Sequence, residues 1–245
     1  VECEPRLVAL FARSFPQICV HPAKTEKRGG RVNAHYDWLK AAGGANLAIE
    51  MGSLGRILRK DGAAFPAANT YLTVDAQEAA HWHSHFADHA NAPYFGICWR
   101  SGKTGHGRAL QYAPLEQWGA FLRDVPGTLV CAQYDADGGE IAILEELSGR
   151  RILRPENLDQ KNELDRTAAM LSVLDMVIAA PTAVSWLAAA TGTPVLKILY
   201  DTSWTSFGEA YEPFAPSCTC VMPDVPGDWA QSFANAKAII SKRFA

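Results

Sequence analysis

From residue 93 to residue 199, short apolar runs alternate with amphipathic stretches that carry apolar residues at helical spacing. The predicted strands are Tyr94–Trp99, Thr128–Tyr134, Arg151–Leu153, Asp175–Ala180 and Val195–Leu199. The predicted helices are one that begins at Pro114, Glu140–Leu147, Glu163–Val173 and Ala183–Thr191. Such alternation is typical of βαβ crossovers, and nearly continuous apolar strands are typical of a sheet covered on both faces. The sequence therefore predicts an α/β fold with a parallel sheet between two layers of helices.

The first 90 residues show a weaker α/β pattern with few strands. We predict helices at Pro5–Ser14 and Leu54–Lys60, strands at Ile18–His21 and Leu47–Met51, and a solvated basic loop at Lys24–Arg31. A last helix begins near Trp229. The predicted domains are a partial amino-terminal α/β lobe (1–90), a complete Rossmann-like lobe (91–226) and a terminal helix (227–245) that crosses back to the first lobe.

Composition excludes several classes of protein. Apolar residues make up 48% of the 245 residues, which is typical of a globular chain. The net charge of −3 lacks the basic excess of proteins that neutralise nucleic-acid phosphates, so we expect no nucleic-acid partner. No apolar stretch reaches the ~18 residues of a membrane span. Four of the six cysteines lie singly in apolar segments, and Cys218 and Cys220 are too close together for a usual zinc half-site. The simplest interpretation is that the thiols are reduced and the protein is cytoplasmic.

The strongest local signal is the strand, turn and helix within Asp175–Gly192. The first N–H groups of that helix follow Thr182, at Ala183 and Val184, and have no acceptor within the helix. Together with the helix dipole they favour an anion such as a diphosphate, at the strand end where ligands of open parallel sheets bind. The alternative is that Thr182 only caps an ordinary crossover helix.

A second signal is the glycine-rich loop that follows the first strand of this half. Its sequence, RSGKTGHGR, runs from Arg100 to Arg108. Ser101, Gly102 and the other glycines would let a ligand approach the backbone, and the two arginines and Lys103 supply cationic donors. Neither the P-loop spacing nor G-x-G-x-x-G is present. A flexible solvated loop is the alternative.

Histidines form a third pattern. His81, His85 and His89 are spaced four residues apart, on one side of a predicted helix. Metal sites use this spacing, but H-E-x-x-H is absent and no carboxylate is placed to complete a site. We therefore expect a solvated helix and no bound metal. Neither a G-x-S-x-G elbow nor a Cys/His signature suggests hydrolysis.

Taken in order, the motifs resemble a known family. They are PRLVALFARSFP (5–16), MGSLGRILR (51–59), GICWRSG (96–102), VCAQYD (130–135), the run LDRTAAMLSVLDMVIAAPTAVSWLAAATGTPV (164–195) and PGDW (226–229). Together they resemble a bacterial glycosyltransferase-like family whose members usually follow tetratricopeptide repeats. That family is related to the heptosyltransferases and, more distantly, to the O-linked N-acetylglucosamine transferases.

The resemblance implies the two-lobed GT-B architecture, in which the carboxyl-terminal lobe holds a nucleotide-diphosphate sugar. By analogy, Thr182, Ala183 and Val184 would hold the diphosphate. Arg100, Ser101, Gly102 and Arg108 would reach the phosphates from the facing loop, and Gln133 and Tyr134 would lie near the nucleoside. The implied activity is metal-independent transfer of the sugar to a protein or glycan acceptor, with no cofactor besides the donor.

The sequence departs from the family pattern at positions that contact the donor in relatives. Pro181 stands where the motif has Asp, and Trp186 where it has His. The glycine-rich turn that carries the catalytic base in heptosyltransferases is not found, so either the chain is a fragment or it lacks that base. No catalytic residue is assigned. Two alternatives remain open: a non-catalytic module that binds a nucleotide or a protein partner, and a sugar-nucleotide epimerase.

Overall fold

A computed structural model gives the structure of the chain, and it describes residues 1–65, 67, 70–103, 105 and 107–244. The chain divides into two compact units after residue 67. The sequence analysis placed a boundary at residue 90, but the helix at 76–89 packs within the second unit, where Glu78 pairs with Arg166 at 3.1 Å. The assignment of two lobes and a returning terminal helix stays a prediction.

The first unit is small and largely exposed. Its strands are β1 (Glu2–Cys3), β2 (His21–Pro22), β3 (Lys24–Arg28) and β4 (Arg31–His35), and its helices are α1 (Val8–Ser14), α2 (Asp37–Ala41) and α3 (Leu54–Leu58). β1 and β2 pair in parallel, and the Trp38 indole donates to Glu2 Oε2 at 2.7 Å. Among the residues described in this unit, Leu10 is the one fully buried apolar side chain.

Two predictions for this unit are wrong, and a third, the strand Ile18–His21, overlaps the observed β2 only at His21. The segment predicted as a loop, Lys24–Arg31, forms most of the β3–β4 hairpin, because Gly29 and Gly30 adopt the positive φ angles (+55° and +77°) that a two-residue hairpin turn needs. All residues of both strands are exposed, so no apolar alternation marked them. The predicted strand Leu47–Met51 is absent, and Met51 instead begins a 3-10 turn that leads into α3.

The second unit is built on a seven-stranded sheet. Its strands are β5 (Tyr94–Cys98), β6 (Thr128–Cys131), β7 (Ile152–Leu153), β8 (Met176–Ala179), β9 (Val195–Ile198), β10 (Tyr211–Glu212) and β11 (Ala215–Val221). Its helices are α4 (Ala76–His89), α5 (Leu115–Leu122), α6 (Gly138–Ser148), α7 (Leu164–Ser172), α8 (Ala183–Ala190) and α9 (Trp229–Arg243). All five strands predicted here are confirmed, and β10 and β11 were not predicted.

The strand order is β10-β11-β9-β8-β5-β6-β7, and every neighbouring pair is parallel except β10 with β11. Side chains alternate between two cores. Phe95, Ile97 and Ile178 pack with α5, α6 and α9, whereas Cys98 and Val177 pack with α4, α7 and α8. Helices therefore cover both faces, as the apolar strands predicted.

Among the residues that the structure describes, no helix combines the length and the apolar character that crossing a bilayer requires. All six cysteines lie in the described part of the chain, and none forms a disulfide.

Candidate functional site

The topology of the sheet selects one edge for ligand binding. From β5 the chain builds outward through β6 to β7, and then returns to the other side of β5 to build β8, β9 and β11. The order of strands thus reverses between β5 and β8. In open α/β sheets, ligands bind outside the carboxyl ends of the strands at this switch point. The residues that follow β5, β6 and β8 are therefore the first candidates for a site.

Three polar side chains meet at this switch point. The Cys98 thiol lies 3.5 Å from Gln133 Oε1 and 3.5 Å from Thr182 Oγ1, so it joins the ends of β5, β6 and β8. All three residues are buried. Burial raises the pKa of Cys98 to about 12, which keeps the thiol neutral. Cys98 therefore acts here as a small packing residue and hydrogen-bond donor and not as a nucleophile.

The backbone of the loop after β5 is bound to the loop after β6. Gln133 Oε1 accepts the Arg100 N–H at 3.1 Å, and the Tyr134 hydroxyl accepts the Gly102 N–H at 2.6 Å. The approach is close enough that a Cβ added at Gly102 would lie 2.5 Å from Asp135 Oδ2. The start of the glycine-rich loop is therefore a fixed wall of the switch point, and a larger residue at position 102 would require the Asp135 or Tyr134 side chain to shift.

The Arg100 guanidinium is paired with carboxylates. It donates to both carboxylate oxygens of Glu140 at 2.5 Å and to Asp135 Oδ2 at 3.0 Å. These hydrogen bonds, foremost those that Glu140 accepts, raise the pKa of Arg100 above its ordinary value. A phosphate would have to compete with two carboxylates for this cation, so the geometry gives Arg100 a positioning role. Direct contact between Arg100 and a phosphate stays a prediction.

The amino terminus of α8 lies at the end of β8. Thr182 occupies the N-cap position in an extended conformation, but its side chain caps no N–H of the helix. The hydroxyl faces Cys98 instead, and the Thr182 carbonyl accepts from the Ser185 hydroxyl at 2.7 Å. The N–H groups of Ala183 and Val184 are left without an intrahelical acceptor. This end of α8 therefore retains its attraction for an anion.

A cleft of about 330 Å³ opens at the carboxyl ends of β6 and β7. Its walls combine apolar, amide and charged side chains: Cys131, Gln133, Tyr134, Ala136, Ile141, Arg154, Pro155, Leu158, Asp159 and Gln160. Gln160 Nε2 donates to the Cys131 carbonyl at 3.0 Å, whereas its Oε1 is buried and has no hydrogen-bond partner among the described residues. The cleft thus offers a cation at Arg154 and an unused acceptor at Gln160.

Comparisons with known proteins support the fold assignment. No protein-family model matches the chain. This chain is 33% identical over 226 residues to Protein FlbA of Caulobacter vibrioides, and the match covers 92% of this chain but 38% of the relative. The chain thus spans less than two fifths of that relative's length. The structure of E. coli ADP-heptose lps heptosyltransferase II matches with a TM-score of 0.50 over 77% of this chain and 59% of that one.

The likeness to the heptosyltransferase is one of fold. The two sequences are 14% identical, which is too low to transfer an activity. The chain is mixed α/β with a seven-stranded, mostly parallel sheet. The match supports a glycosyltransferase GT-B-like fold for it. The predicted α/β class is therefore confirmed at that level, and the details of the lobes stay predictions.

The predicted site residues are partly brought together. Hydrogen bonds link Arg100 to Gln133 and Gly102 to Tyr134, and Cys98 connects Gln133 to Thr182, next to Ala183 and Val184. The Ser101 hydroxyl makes a local contact, accepting the Lys103 N–H at 3.2 Å. Arg108 begins an exposed 3-10 turn, and among the described residues no hydrogen bond or ion pair joins its side chain to the cluster. Positions 104 and 106 of this loop lie outside the described residues.

The three histidines lie along α4. The rings of His85 and His89 are stacked with centroids 4.4 Å apart, and those of His81 and His85 are 6.3 Å apart. Within the described ranges, no group of three or more His, Cys, Asp or Glu side chains is arranged to hold a metal ion.

The sequence analysis did not name Arg154 or Gln160, although both line the cleft. Arg154 directly follows β7, so the rule that ligands bind at strand ends would have pointed to it. Gln160 follows no strand directly, and its place in the cleft depends on its bond to β6, which no local pattern reveals.

Proposed function

We propose that this chain contains the nucleotide-sugar-binding lobe of a GT-B-type glycosyltransferase, which transfers a sugar from a nucleotide-diphosphate sugar to a protein or glycan acceptor. The observation that carries the proposal is the cleft beyond β6 and β7, which lies beside the switch point at the carboxyl edge of the sheet. The GT-B-like fold supports it, because heptosyltransferase II has a similar fold.

The order of the strands suggests how the donor lies. We place the nucleoside in the cleft between the ends of β6 and β7, against Gln133 and Tyr134, and the diphosphate at Thr182, Ala183 and Val184 after β8. Neighbouring strands are about 4.8 Å apart, so these two points are separated by about two and a half spacings, or roughly 12 Å. That span is comparable with the reach of a nucleoside diphosphate from its base to its second phosphate.

Positive charge at the site comes from two arginines that have no partner among the described residues. Arg154 lines the cleft and forms no ion pair within the part of the chain that the structure describes. Arg108 is exposed on the glycine-rich loop, and the start of α8 adds the helix dipole. Arg100 keeps that loop in place through Glu140 and Asp135. In this scheme the leaving diphosphate is stabilised by cations and N–H dipoles of the chain, without a metal.

Binding of nucleotides to the purified chain tests the proposal. We expect calorimetry to detect binding of ADP, UDP or their glucose conjugates, unchanged by EDTA. Arg154→Ala should weaken that binding about tenfold or more, because a charge-assisted contact is lost. The neighbouring Arg151→Ala, outside the cleft lining, is the matched control and should bind as the wild type does. Absence of binding to every nucleotide, or equal affinity of the Arg154 variant, would overturn the proposal.

The surroundings of Trp186 favour a second candidate, a lobe that binds the nucleotide without transferring the sugar. The resemblance places a donor-contacting histidine at this position, but the Trp186 ring is covered by Lys197, whose Nζ lies 3.9 Å from the ring centroid. An indole offers one N–H donor and no acceptor, so Trp186 cannot supply the acceptor nitrogen that a histidine would offer to the nucleotide sugar. Tight binding of a nucleotide sugar with no turnover in the parent protein would favour this candidate over the transferase.

The cellular location and the domains that accompany this chain are also part of the proposal. A cytoplasmic location agrees with six unpaired cysteines, and an association with tetratricopeptide repeats in the parent protein rests on the family resemblance alone.

A further inference from the structure

Past its first residue, the glycine-rich loop is tied to the rest of the second unit at one point. The Gly102 N–H donates to the Tyr134 hydroxyl at 2.6 Å, whereas the Lys103 N–H stays within the loop and donates to the Ser101 hydroxyl at 3.2 Å. Within the described residues from 101 to 112, the remaining backbone bonds are local, and no other hydrogen bond leads to a different part of the chain. The position of the loop therefore depends on Tyr134.

Gly102 lies directly against the end of the Tyr134 side chain. A Cβ added at Gly102 would lie 2.8 Å from the Tyr134 hydroxyl oxygen, which is closer than real Cβ contacts come. The loop can approach the phenol in this way because position 102 carries no side chain. The contact is therefore built into the sequence of the loop as well as into that of the residues after β6.

The backbone that carries Tyr134 is itself fixed on both sides. Gln133 Nε2 donates to Asp135 Oδ1 at 2.6 Å, so the two neighbours of Tyr134 are bonded to each other. Both are also bonded to Arg100, whose N–H donates to Gln133 Oε1 at 3.1 Å and whose guanidinium donates to Asp135 Oδ2 at 3.0 Å. Tyr134 thus projects from a closed network, and its hydroxyl gives the loop a defined anchor.

Tyr134 also borders the cleft in which we place the nucleoside. The loop that it anchors carries two exposed cations, Lys103 and Arg108, and neither side chain has an ion-pair partner among the described residues. Gln133 lines the cleft too, but its bond to the loop ends at the Arg100 N–H. Tyr134 is therefore the residue that connects the cleft with the part of the loop that carries these cations.

We propose that Tyr134 is a positioning residue for the nucleotide donor, which holds the glycine-rich loop at Gly102 so that the cations of the loop contact the diphosphate. The inference rests on the proposed function, which it extends from the cleft to the loop. The Tyr134 hydroxyl acts through Gly102 and touches no phosphate itself.

Removing only the hydroxyl tests this role. Tyr134→Phe keeps the ring at the cleft and removes the acceptor of the Gly102 N–H. Calorimetry would measure ADP and UDP, and chemical-shift titrations would measure adenosine and uridine. We expect Tyr134→Phe to weaken the diphosphates about three- to tenfold, as the loss of one hydrogen bond does, and to leave the nucleosides within about twofold. Tyr211→Phe, which removes a hydroxyl on the edge strand farthest from β7, is the matched control and should bind as the wild type does.

A double-mutant cycle with Arg108→Ala shows whether the effect passes through the loop. Arg108→Ala should weaken ADP less in the Tyr134→Phe background than in the wild type, because the loop is no longer held there. Trypsin gives a readout without any nucleotide. Cleavage after the exposed Lys103, followed by mass spectrometry, should be at least about threefold faster in Tyr134→Phe than in the wild type or in Tyr211→Phe, because the bond that restrains the loop is missing.

The outcomes separate this inference from the proposed function. If the wild type binds the diphosphates but Tyr134→Phe weakens nucleosides and diphosphates equally, or weakens neither, the positioning role is overturned while the proposed function stands. Equal cleavage after Lys103 in all three proteins, or additive effects in the cycle, would overturn it as well. If the wild type binds no nucleotide, the proposed function fails and this inference fails with it. An unchanged melting temperature of Tyr134→Phe would verify that the variant is folded.

Discussion

Lys197 Nζ lies 2.6 Å from Glu212 Oε1, and both side chains are almost completely shielded from solvent. A buried ion pair loses hydration on both sides, so its net contribution to stability is small when it is intact. Breaking it is costly, since one charge is then left without its partner. Glu212 Oε2 already has no hydrogen-bond partner among the described residues, which makes the carboxylate especially dependent on Lys197.

We therefore expect Lys197→Met to lower the free energy of unfolding by about 3–5 kcal/mol, because the Glu212 carboxylate would stay buried and unpaired. The double variant Lys197→Met/Glu212→Gln should recover part of that loss, since no unpaired charge remains. Urea unfolding monitored by circular dichroism measures both values. A loss below about 1 kcal/mol in the single variant would show that water reaches the pair.

Gly119 allows α5 and α6 to pack closely. A Cβ added at this position would lie 2.3 Å from Leu147 Cβ, a distance that real Cβ atoms do not reach. Alanine is the better helix former by about 1 kcal/mol, but overpacking a core typically costs about 1–3 kcal/mol. A contact of 2.3 Å with Leu147 Cβ places the overpacking cost in the upper part of that range, at about 2–3 kcal/mol, so we expect Gly119→Ala to lower the unfolding free energy by about 1–2 kcal/mol.

The matched control for this prediction is Gly138→Ala, because Gly138 begins α6 and a Cβ there would meet no atom within 4 Å. Its unfolding free energy should stay within about 0.5 kcal/mol of the wild type or rise slightly. Thermal and urea unfolding of Gly119→Ala and Gly138→Ala in parallel would measure the difference in their unfolding free energies. Equal stability of both alanine variants would contradict the close packing of α5 against α6.

The core of the second unit was predictable because its strands are continuous apolar runs separated by amphipathic helices. The strand at Tyr94–Cys98 and the helix at Ala183–Ala190 lie within one residue of their predicted ends. Signals of this kind are local and repeat along the chain. The hairpin strands Lys24–Arg28 and Arg31–His35 lacked them, because all of their side chains are exposed.

The candidate site was predictable only in part, for a different reason. Thr182 could be named from its place after a predicted strand, and Gln133 from the family resemblance. Their contacts could not, because the bonds of Arg100 to Glu140 and of Lys197 to Glu212 join residues 40 and 15 positions apart in the chain. The segment between β9 and β10 gave no signal either, since exposure of Trp204 and burial of Glu212 reverse the usual preferences of these residue types.

The cysteines should divide into two classes of reactivity. Cys98, Cys131, Cys218 and Cys220 are buried, and desolvation raises their pKa values to about 12, 11, 12 and 12, whereas Cys19 is exposed. Since the thiolate is the reacting form, we expect Ellman's reagent at pH 8 to modify Cys19 rapidly and these four only after denaturation. Cys19→Ser should remove the rapid phase. Cys3 is partly buried and desolvation raises its pKa, so it should react more slowly than Cys19. Rapid reaction of three or more thiols in the native protein would contradict the burial of the other four.

Stability should fall in mild acid because of His85. Desolvation, and secondarily the charges of His89 and His81, lower the pKa of His85, although the nearby Glu156 and Asp88 oppose this. Its Nε2 is buried without a hydrogen-bond partner among the described residues. The folded state then binds a proton less readily than the unfolded state, whose histidine titrates near pH 6.5. Neutral His85 therefore contributes fully to stability above about pH 6.5, and this contribution is lost as the pH falls toward and through the lower pKa of His85 in the folded state.

We expect the unfolding free energy to decrease between pH 7.5 and pH 5.5, and the decrease to be smaller in His85→Gln, because glutamine does not titrate. His83→Gln is the matched control, since His83 is exposed on α4 and two residues away from His85, which places it on another side of the helix. Its pH dependence should equal that of the wild type. Urea titrations at the two pH values measure the difference, and an unchanged slope in His85→Gln would assign the acid sensitivity to other groups.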